Sequence, residues 1–470
     1  MPPPVLYKNK KTTKGDNSMK ARYIRRSAMT MAVGLALGAA GTAQATNGYF
    51  AHGYGIKAKG MGGVGMAISQ DSYAPGINPA GIAGMESRFD GALTYFRPER
   101  SYEVSGMPSR EMGTFGLAPG EVESDSKNFF IPSLGFVQQI DEDRSWGIAF
   151  LGNGGMNTNY PGFENQQFCQ MEDPQNPSQS MPIGSQTGPF CDGSAGVNLE
   201  QLAIIPTYAQ RFADGRVSVG FSPIISYQRF EAKGIQTFAD MGMTDGDGEN
   251  FSGNGTDDSW GYGAQIGIQA EVAEGVHLGA NYRSKIRNSD FDDYSELFAE
   301  SGSFDIPSTW GMGVAWEVTP TVTLVADYQR INYSDVDAIS NSGPEQDDLG
   351  QPVFGTSDGR GFGWDDINVY KIGAQFELPN DWQVRVGYNR GDNPIDSDEV
   401  TMNILAPGVV THHYTAGFTK SFGDQHELSF AAMYAPSNSV SGSNAFDPEA
   451  QDIEIEMKQY ELELGYSYRF

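Results

Sequence analysis

The stretch Gln459–Phe470 reads QYELELGYSYRF and alternates strictly between apolar and polar side chains. Because successive side chains of a strand point to opposite faces, one face is apolar and carries Tyr460, Leu462, Leu464, Tyr466, Tyr468 and Phe470. A strand of a soluble sandwich can also alternate. A strand that closes an outer-membrane barrel, however, needs lipid on one side, a wet lumen on the other and aromatic residues at the interface. The stretch therefore favours an all-β, transmembrane antiparallel β-barrel.

The same alternation recurs from Ser87 to the end of the chain, as in the apolar series that runs from Trp260 to Val272. Short turns, such as Glu274-Gly275, join strands into pairs, and long polar loops separate the pairs. This asymmetry is typical of outer-membrane barrels. We predict fourteen strands, near residues 88–104, 128–140, 145–160, 198–212, 216–232, 259–273, 275–290, 308–319, 321–337, 366–378, 381–394, 411–422, 426–440 and 455–470.

The only long apolar run, Ala28 to Ala45, has the pattern of a secretion signal. Basic residues precede it, and Ala43-Gln44-Ala45 is a small-residue cleavage site. The polar stretch before Met19 is a poor start for a signal, so we expect translation to begin at Met19. The chain then divides into a signal peptide with an upstream extension (1–45), a segment that opens at Thr46 (46–86) and the barrel (87–470).

The net charge limits the classes of partner, and the two cysteines indicate the cellular compartment. The net charge of −28 argues against nucleic acid, which needs a basic face. Much of the acid lies in the loops 240–258 and 335–366, which are suited either to meet lipopolysaccharide through divalent cations or to form a solvated surface. Cys169 and Cys191 agree with an oxidising compartment and are candidates for a loop disulfide. We expect no metal and no cofactor.

Residues 46–86 do not have the pattern of strands. Glycines crowd the first part, and turn-forming residues fill Asp71–Gly81. A phosphate-binding loop is excluded, because Gly60–Gly65 lacks both a preceding strand and a following Lys-Ser/Thr. A fourteen-stranded wall leaves a lumen that the side chains of the wall do not fill. We therefore expect this segment to plug the lumen.

Three features together resemble the FadL family of outer-membrane transporters for long-chain fatty acids and other hydrophobic compounds, which includes aromatic-hydrocarbon transporters of the TodX type. They are the glycine-rich Gly55–Gly63, the tripeptide Asn78-Pro79-Ala80 before the first strand, and the strand pairs that end in an aromatic terminus. The resemblance spans the mature chain. It implies a monomeric barrel of the bacterial outer membrane with an N-terminal hatch, and passive uptake of fatty acids. Aromatic hydrocarbons and alkanes are the alternative ligands.

The resemblance also implies a route for the ligand. Asn78, Pro79 and Ala80 would belong to the hatch and its gating. The family's wall opening arises at a kink of the third strand, where this chain offers Gly152, Gly154 and Gly155, and glycine suits a bulge that breaks strand pairing. The alternative is that these glycines only mark the start of the loop to Asn198.

An apolar groove between loops is the expected entry, because methionine and phenylalanine at loop tips cost solubility unless something binds there. The alternative is that they are scattered anchoring residues, because the same loops are rich in Asp, Asn and Gln. A Cys169–Cys191 bond would rigidify the first of these loops. The candidates, from the loops 153–197 and 231–258, are Met156, Tyr160, Phe163, Phe168, Phe190, Phe238, Met241, Met243 and Phe251.

A carboxylate ligand would need a cation inside the barrel. The candidates are Lys57, Lys59, Arg283, Lys371 and Arg385. The same cations are also suited to pair with carboxylates of the inner face. The expected partners are Glu271, Glu317 and Glu377.

Two other classes of function remain as alternatives. A barrel enzyme, such as a phospholipase, needs a histidine beside a nucleophile, but none of the five histidines lies in a recognisable nucleophile motif. A structural or adhesive barrel, or a general diffusion porin, is the third class. The plug-like segment argues against an open porin.

Overall fold

The structure is a computed structural model and describes residues 46–111, 114–173, 175–343 and 354–470. The predicted signal peptide and the predicted start at Met19 lie outside the described residues.

The wall consists of fourteen antiparallel strands, as predicted from the sequence. Pairing of β14 with β1 and of β6 with β7 makes the ring continuous. We number the wall strands β1 (Arg88–Ser105), β2 (Phe129–Gln139), β3 (Arg144–Asn157), β4 (Gly196–Phe212), β5 (Val217–Lys233), β6 (Asp257–Ala273), β7 (Val276–Arg283), β8 (Thr309–Thr319), β9 (Val322–Ile331), β10 (Ile367–Leu378), β11 (Trp382–Gly391), β12 (His412–Phe422), β13 (His426–Ser443) and β14 (Asp452–Arg469).

Outside the wall strands, the described residues form only short elements. Additional strands lie at Gly120–Glu123, Gln170–Asp173, Asn176–Pro182 and Arg287–Asn288. Helical segments lie at Ile56–Lys59, Ala74–Gly76, Pro79–Ile82, Gln236–Asp240, Asp292–Tyr294, Ala299–Gly302, Tyr333–Asp335, Asp337–Ser340, Ser397–Glu399 and Val400–Asn403. Within the described part of the chain, no helix is both long and apolar enough to cross a membrane.

The last strand closes the wall with the alternation that its sequence predicts. It pairs with β1 from Arg88–Arg469 to Ser105–Asp452, and with β13 on its other edge. Leu462 is 47% exposed and Leu464 57%, whereas Glu461 and Glu463 between them are buried. The apolar face therefore points outward and the carboxylates point into the barrel.

Aromatic side chains border the outer apolar face at two levels. Tyr388, Tyr414, Tyr434 and Tyr460 follow one another in register across β11 to β14. At the end with the short turns, the ring of Phe470 stacks on that of Phe136, with 6.0 Å between ring centroids. Two aromatic levels on either side of an aliphatic band are the expected boundary of a barrel with its bilayer.

The predicted seventh and ninth strands, 275–290 and 321–337, are longer than the observed β7 and β9. Beyond β7, the Ser284 hydroxyl accepts a hydrogen bond from the Ala264 amide at 3.1 Å, so a side chain takes the place of a ladder bond. Beyond β9, the chain enters the helical turn Tyr333–Asp335, and the Asp335 carboxylate accepts a hydrogen bond from the Ser308 amide. Local polar side chains thus end both strands before the alternating pattern ends.

Candidate functional site

The N-terminal segment, which we define as residues 46–86, is largely buried and contacts inward-facing residues of the wall. Its first contacts are ionic. The Lys57 ammonium lies 2.7 Å from the Glu427 carboxylate on β13. The Lys59 ammonium lies 3.0 Å from both Glu461 and Glu463 on β14. These lysines therefore attach the segment to the wall.

The prediction that the inner cations pair with Glu271, Glu317 and Glu377 was wrong. No ion pair among the described residues joins a candidate cation to any of these carboxylates. Glu317 lies instead near His277, and Glu377 accepts hydrogen bonds from glutamine side chains. Glu271 and Glu317 are exposed, since they lie close to the short turns.

The tripeptide Asn78-Pro79-Ala80 lies directly against the wall. The buried Asn78 amide donates to the carbonyl oxygen of Met66 at 2.8 Å and to that of Ile268 on β6 at 3.1 Å. Its side-chain oxygen accepts from the Ala80 amide at 3.0 Å, which caps the helical turn Pro79–Ile82. This side chain therefore connects two parts of the segment with the wall.

Two wall glycines make room for the tripeptide. Gly220 and Gly267 face each other in register across β5 and β6. A Cβ at Gly267 would lie 1.9 Å from the Asn78 side-chain oxygen, and a Cβ at Gly220 would lie 2.2 Å from the carbonyl carbon of Pro79. No larger residue fits at either position without displacing the segment. The alternating pattern of the sequence could have predicted this space, because both glycines occupy inward positions of neighbouring strands.

The wall is not uniformly paired, and the interruption lies beside the predicted kink. Pairing of β2 with β3 runs from Gln139–Ser145 to Leu134–Phe150 and ends there. Residues 129–133 of β2 and 151–157 of β3, all of them described, are not paired with each other. On its other edge β3 remains paired with β4, but with a bulge between Gly152 and Gly154. We call the unpaired interval the β2–β3 gap.

The bulge places Asn153 inside the barrel, where the N-terminal segment holds it. The Tyr54 hydroxyl donates to the Asn153 carbonyl oxygen at 2.9 Å. The Gly155 amide donates to the Tyr49 carbonyl oxygen at 3.0 Å, and Phe50 forms a bridge with Gly154. The part of β3 at and beyond the bulge therefore pairs with the N-terminal segment instead of with β2. Neither Tyr54 nor Asn153 was predicted as a site residue.

Phenylalanines from several loops form one compact group at the long-loop end. The rings of Phe190 and Phe238 lie 5.5 Å apart, and those of Phe251 and Phe354 5.2 Å apart. Phe354 joins the two pairs, with its ring centroid 6.4 Å from that of Phe238. Phe190, Phe238 and Phe251 are completely buried in the hydrophobic core, and their role in an entry groove stays a prediction. We call this group the loop cluster.

The other groove candidates are divided between the interior and the surface. Met156 and Tyr160 are buried, and Met241 and Met243 pack partly against the same core. Phe163 and Phe168 are only half-buried. Cys169 and Cys191 form a disulfide with a Cα–Cα distance of 5.5 Å, next to Phe190 of the loop cluster.

The remaining inner cations have neutral partners. Arg283 donates to the Asn153 side-chain oxygen at 2.9 Å, so it also holds the bulge. Lys371 donates to Gln329 at 3.0 Å and to the Gly63 carbonyl oxygen at 3.3 Å. Arg385 donates to side chains that include Gln375 and Thr419. Their role toward a ligand carboxylate stays a prediction.

A histidine of the N-terminal segment is buried against the wall. The ring of His52 stacks on that of His413 in β12, with 6.1 Å between centroids. Burial, assisted by the nearby Lys59 and Lys371 cations, lowers the pKa of His52 well below its ordinary value. The described residues contain no group of three or more His, Cys, Asp or Glu side chains that could hold a metal ion.

Comparisons with known proteins agree with this architecture. The sequence model of the outer membrane protein transport protein family (OMPP1/FadL/TodX) matches residues 191–470. The long-chain fatty acid transport protein of Escherichia coli O6:H1 is 22% identical over 431 residues, which cover 86% of this chain and 90% of that protein. The crystal structure of the Pseudomonas putida toluene transporter TodX has a TM-score of 0.62 at 17% identity and covers 89% of this chain and 99% of that chain.

A further solved structure, that of a Pseudomonas aeruginosa FadL homologue, has a TM-score of 0.61 at 13% identity and covers 90% of this chain and 100% of that chain. At these identities the solved structures support the fold alone. The family match covers more than half of the chain, and it agrees with the closed barrel described above. The chain therefore belongs to the OMPP1/FadL/TodX family of transport proteins of the bacterial outer membrane.

Proposed function

We propose that this chain takes up long-chain fatty acids by passive diffusion, from the loop cluster through the lumen and out sideways through the β2–β3 gap. The observation that carries the route is the loss of pairing between residues 129–133 and 151–157. An unpaired interval is the place where a barrel wall can part without breaking ladder hydrogen bonds. The ligand would leave into the bilayer instead of into water.

The physical advantage of this route is that an acyl chain remains in apolar surroundings. Each buried methylene is worth roughly 0.8 kcal/mol, which a long tail would forfeit in a water-filled pore. The loop cluster supplies apolar surface at the entrance, and Ile131 and Leu151 supply it on the inner side of the gap. Opening of the loop cluster is then the first step of uptake.

The N-terminal segment acts as the gate in this proposal. Its residues Tyr49, Phe50 and Tyr54 hold the bulged part of β3, so the segment occupies the edge that β2 leaves free. A ligand that enters the lumen would displace this part of the segment and release the edge. The ionic contacts of Lys57 and Lys59 keep the rest of the segment attached.

Aromatic hydrocarbons are the second candidate ligand. The P. putida relative with the same fold is a toluene transporter, whereas the E. coli relative is a long-chain fatty acid transport protein. Both classes of ligand would use an apolar entrance and a lateral exit.

The proposal is tested by uptake of radiolabelled oleate into cells that lack their own fatty-acid transporter. We expect the intact chain to restore uptake, and we expect Asn78→Ala to alter the rate, because its amide connects the segment with β6. A heat-modifiable barrel in the membrane is the control for folding. If the folded chain imports labelled toluene but no oleate, the fatty-acid assignment is wrong and the second candidate replaces it.

A further inference from the structure

Arg100 is a buried arginine of the barrel that has neither a carboxylate partner nor a full set of hydrogen bonds among the described residues. It lies on the inner face of β1, opposite Met457 of β14, and is 4% exposed. No carboxylate pairs with it in any of the ion pairs of residues 46–111, 114–173, 175–343 and 354–470. By contrast, the neighbouring inward cations Lys59 and Arg88 contact carboxylates at 3.0 and 2.7 Å.

The hydrogen bonds of Arg100 are also incomplete. A guanidinium group has five N–H donors, but the described acceptor is a single one, the carbonyl oxygen of Ser126. The Nε atom is buried and has no partner within the described residues. Arg283 and Arg385, which also have no carboxylate partner, donate to three and to four acceptors respectively. An arginine stays charged when buried, so the missing partners cost free energy.

The surroundings of Arg100 connect it to the β2–β3 gap. Its guanidinium carbon lies 5.8 Å from the ring centroid of Phe129, which is the first residue of the unpaired part of β2. It also lines a small cavity with Met156 and Asn157 of the unpaired part of β3, and with Trp364 and Met457. The cavity is therefore apolar except at Arg100 and Asn157.

We propose that Arg100 binds the carboxylate of a long-chain monocarboxylic acid whose tail lies along the gap, so that this chain prefers acids to hydrocarbons. A carboxylate matches the planar guanidinium fork and would satisfy the free donors with paired, charge-assisted hydrogen bonds. The apolar residues beside it would contact the first methylenes. This inference rests on the proposed function and assigns the residue that would distinguish acids from hydrocarbons.

Arg100 could not be recognised as a binding residue from the sequence. Arg100 lies in the stretch Phe96–Ser101, FRPERS, where two arginines and a glutamate follow one another closely. Arg97 points outward and pairs with Glu99 at 2.9 Å, which is the ordinary arrangement. Only the structure separates the paired, half-exposed Arg97 from the buried, unpaired Arg100.

The test compares binding of radiolabelled oleate and of its neutral analogue oleyl alcohol to the purified full-length chain in detergent. Charge-assisted hydrogen bonds of this kind predict that Arg100→Met weakens oleate binding by about tenfold or more. Binding of oleyl alcohol should stay within about twofold, because dispersion contacts with the tail are unchanged. Arg97→Met is the matched control, since it removes an arginine of the same strand from the outer face.

Arg100→Lys keeps the test decisive if the methionine variant does not fold. It retains the charge and loses the fork, so it should bind oleate less tightly than the intact chain while binding of the alcohol is unchanged. Equal losses for acid and alcohol, or an unchanged affinity for oleate, would overturn the role of Arg100. An intact chain that binds neither probe would instead overturn the proposed function, so the two failures are distinguishable.

Discussion

The Tyr54 hydroxyl donates a hydrogen bond to the carbonyl oxygen of Asn153 at 2.9 Å, and this contact joins the N-terminal segment to the bulge of β3. Asn153 is the residue that the bulge inserts between Gly152 and Gly154, so its carbonyl oxygen is not used by the β3–β4 ladder there. The bulge and the segment therefore depend on each other. Movement of one changes the hydrogen bonding of the other.

We expect Tyr54→Phe to loosen the segment beside the gap without unfolding the barrel. Loss of one such hydrogen bond costs about 0.5–1.5 kcal/mol. Hydrogen–deuterium exchange of peptides that contain residues 49–54 should become faster. Tyr95→Phe is the control, because it removes a hydroxyl that donates to Asn128 on the exposed side of the wall. Unchanged exchange in Tyr54→Phe would contradict the coupling.

Gly267→Ala should displace the tripeptide Asn78-Pro79-Ala80. The added Cβ would lie 1.9 Å from the Asn78 side-chain oxygen, and overpacking of this kind costs roughly 1–3 kcal/mol. The segment should then become more sensitive to protease while the barrel remains heat-modifiable. At Gly91, in contrast, the nearest atom would be 3.6 Å away, so Gly91→Ala should behave as the intact chain. Equal protease resistance of the two variants would refute the close fit at Gly267.

Lys59→Met should destabilise attachment of the segment more than Lys57→Met. Breaking a buried ion pair costs roughly 3–5 kcal/mol when it leaves an uncompensated charge. Without Lys57, Glu427 still contacts Arg88 at 3.2 Å, and Arg469 as well. Without Lys59, the carboxylates of Glu461 and Glu463 keep no cation among the ion pairs of the described residues. Hydrogen–deuterium exchange of peptides that contain residues 56–65 measures both effects. Faster exchange in Lys57→Met than in Lys59→Met would contradict this assignment of partners.

Acid should weaken attachment of the segment through His52. Its pKa is lowered in the docked state, so the released segment takes up a proton more readily. The contribution of His52 is then fully present above the ordinary pKa of 6.5 and is lost as the pH falls below that value. Protease sensitivity of the segment should rise between pH 7.5 and pH 5. His52→Leu cannot titrate, so a rise of equal size in this variant would rule out His52 as the cause.

The barrel could be predicted from the sequence because each wall strand has one lipid-facing side and one lumen-facing side, so its residues alternate between apolar and polar. The alternation of Tyr460–Phe470 and the turn at Glu274-Gly275 are local features, so the number of strands followed from them. Strand ends were less predictable, since a side chain such as Ser284 can replace a ladder bond. The family resemblance assigned Asn78 to the N-terminal segment, but it did not predict which residues of the wall Asn78 contacts.

The pairing of side chains inside the barrel could not be predicted. Lys59 lies about four hundred residues from Glu461, and only closure of the ring brings them together. The absence of an anionic partner for Arg100 among the described residues could not be predicted either, because the partner of a buried cation depends on which inward-facing side chains surround it. The predicted glycines at 152–155 lie at the bulge, but Asn153 between them, which contacts Tyr54 and Arg283, was not predicted.

The most direct test of the proposed route closes the β2–β3 gap with a disulfide. A Cβ at Gly152 would lie 3.1 Å from the Cγ2 of Ile131, so cysteines at these two positions are within bonding reach. The control pair is Phe136→Cys with Ile148→Cys, which lie opposite each other where β2 and β3 are already paired. The intact chain with and without reductant controls for the native Cys169–Cys191 bond.

We predict that the oxidised Ile131→Cys, Gly152→Cys chain loses most of its oleate uptake and regains it on reduction, whereas the control pair transports in both states. Uptake by the oxidised chain at the rate of the reduced chain would show that the ligand does not leave through the gap.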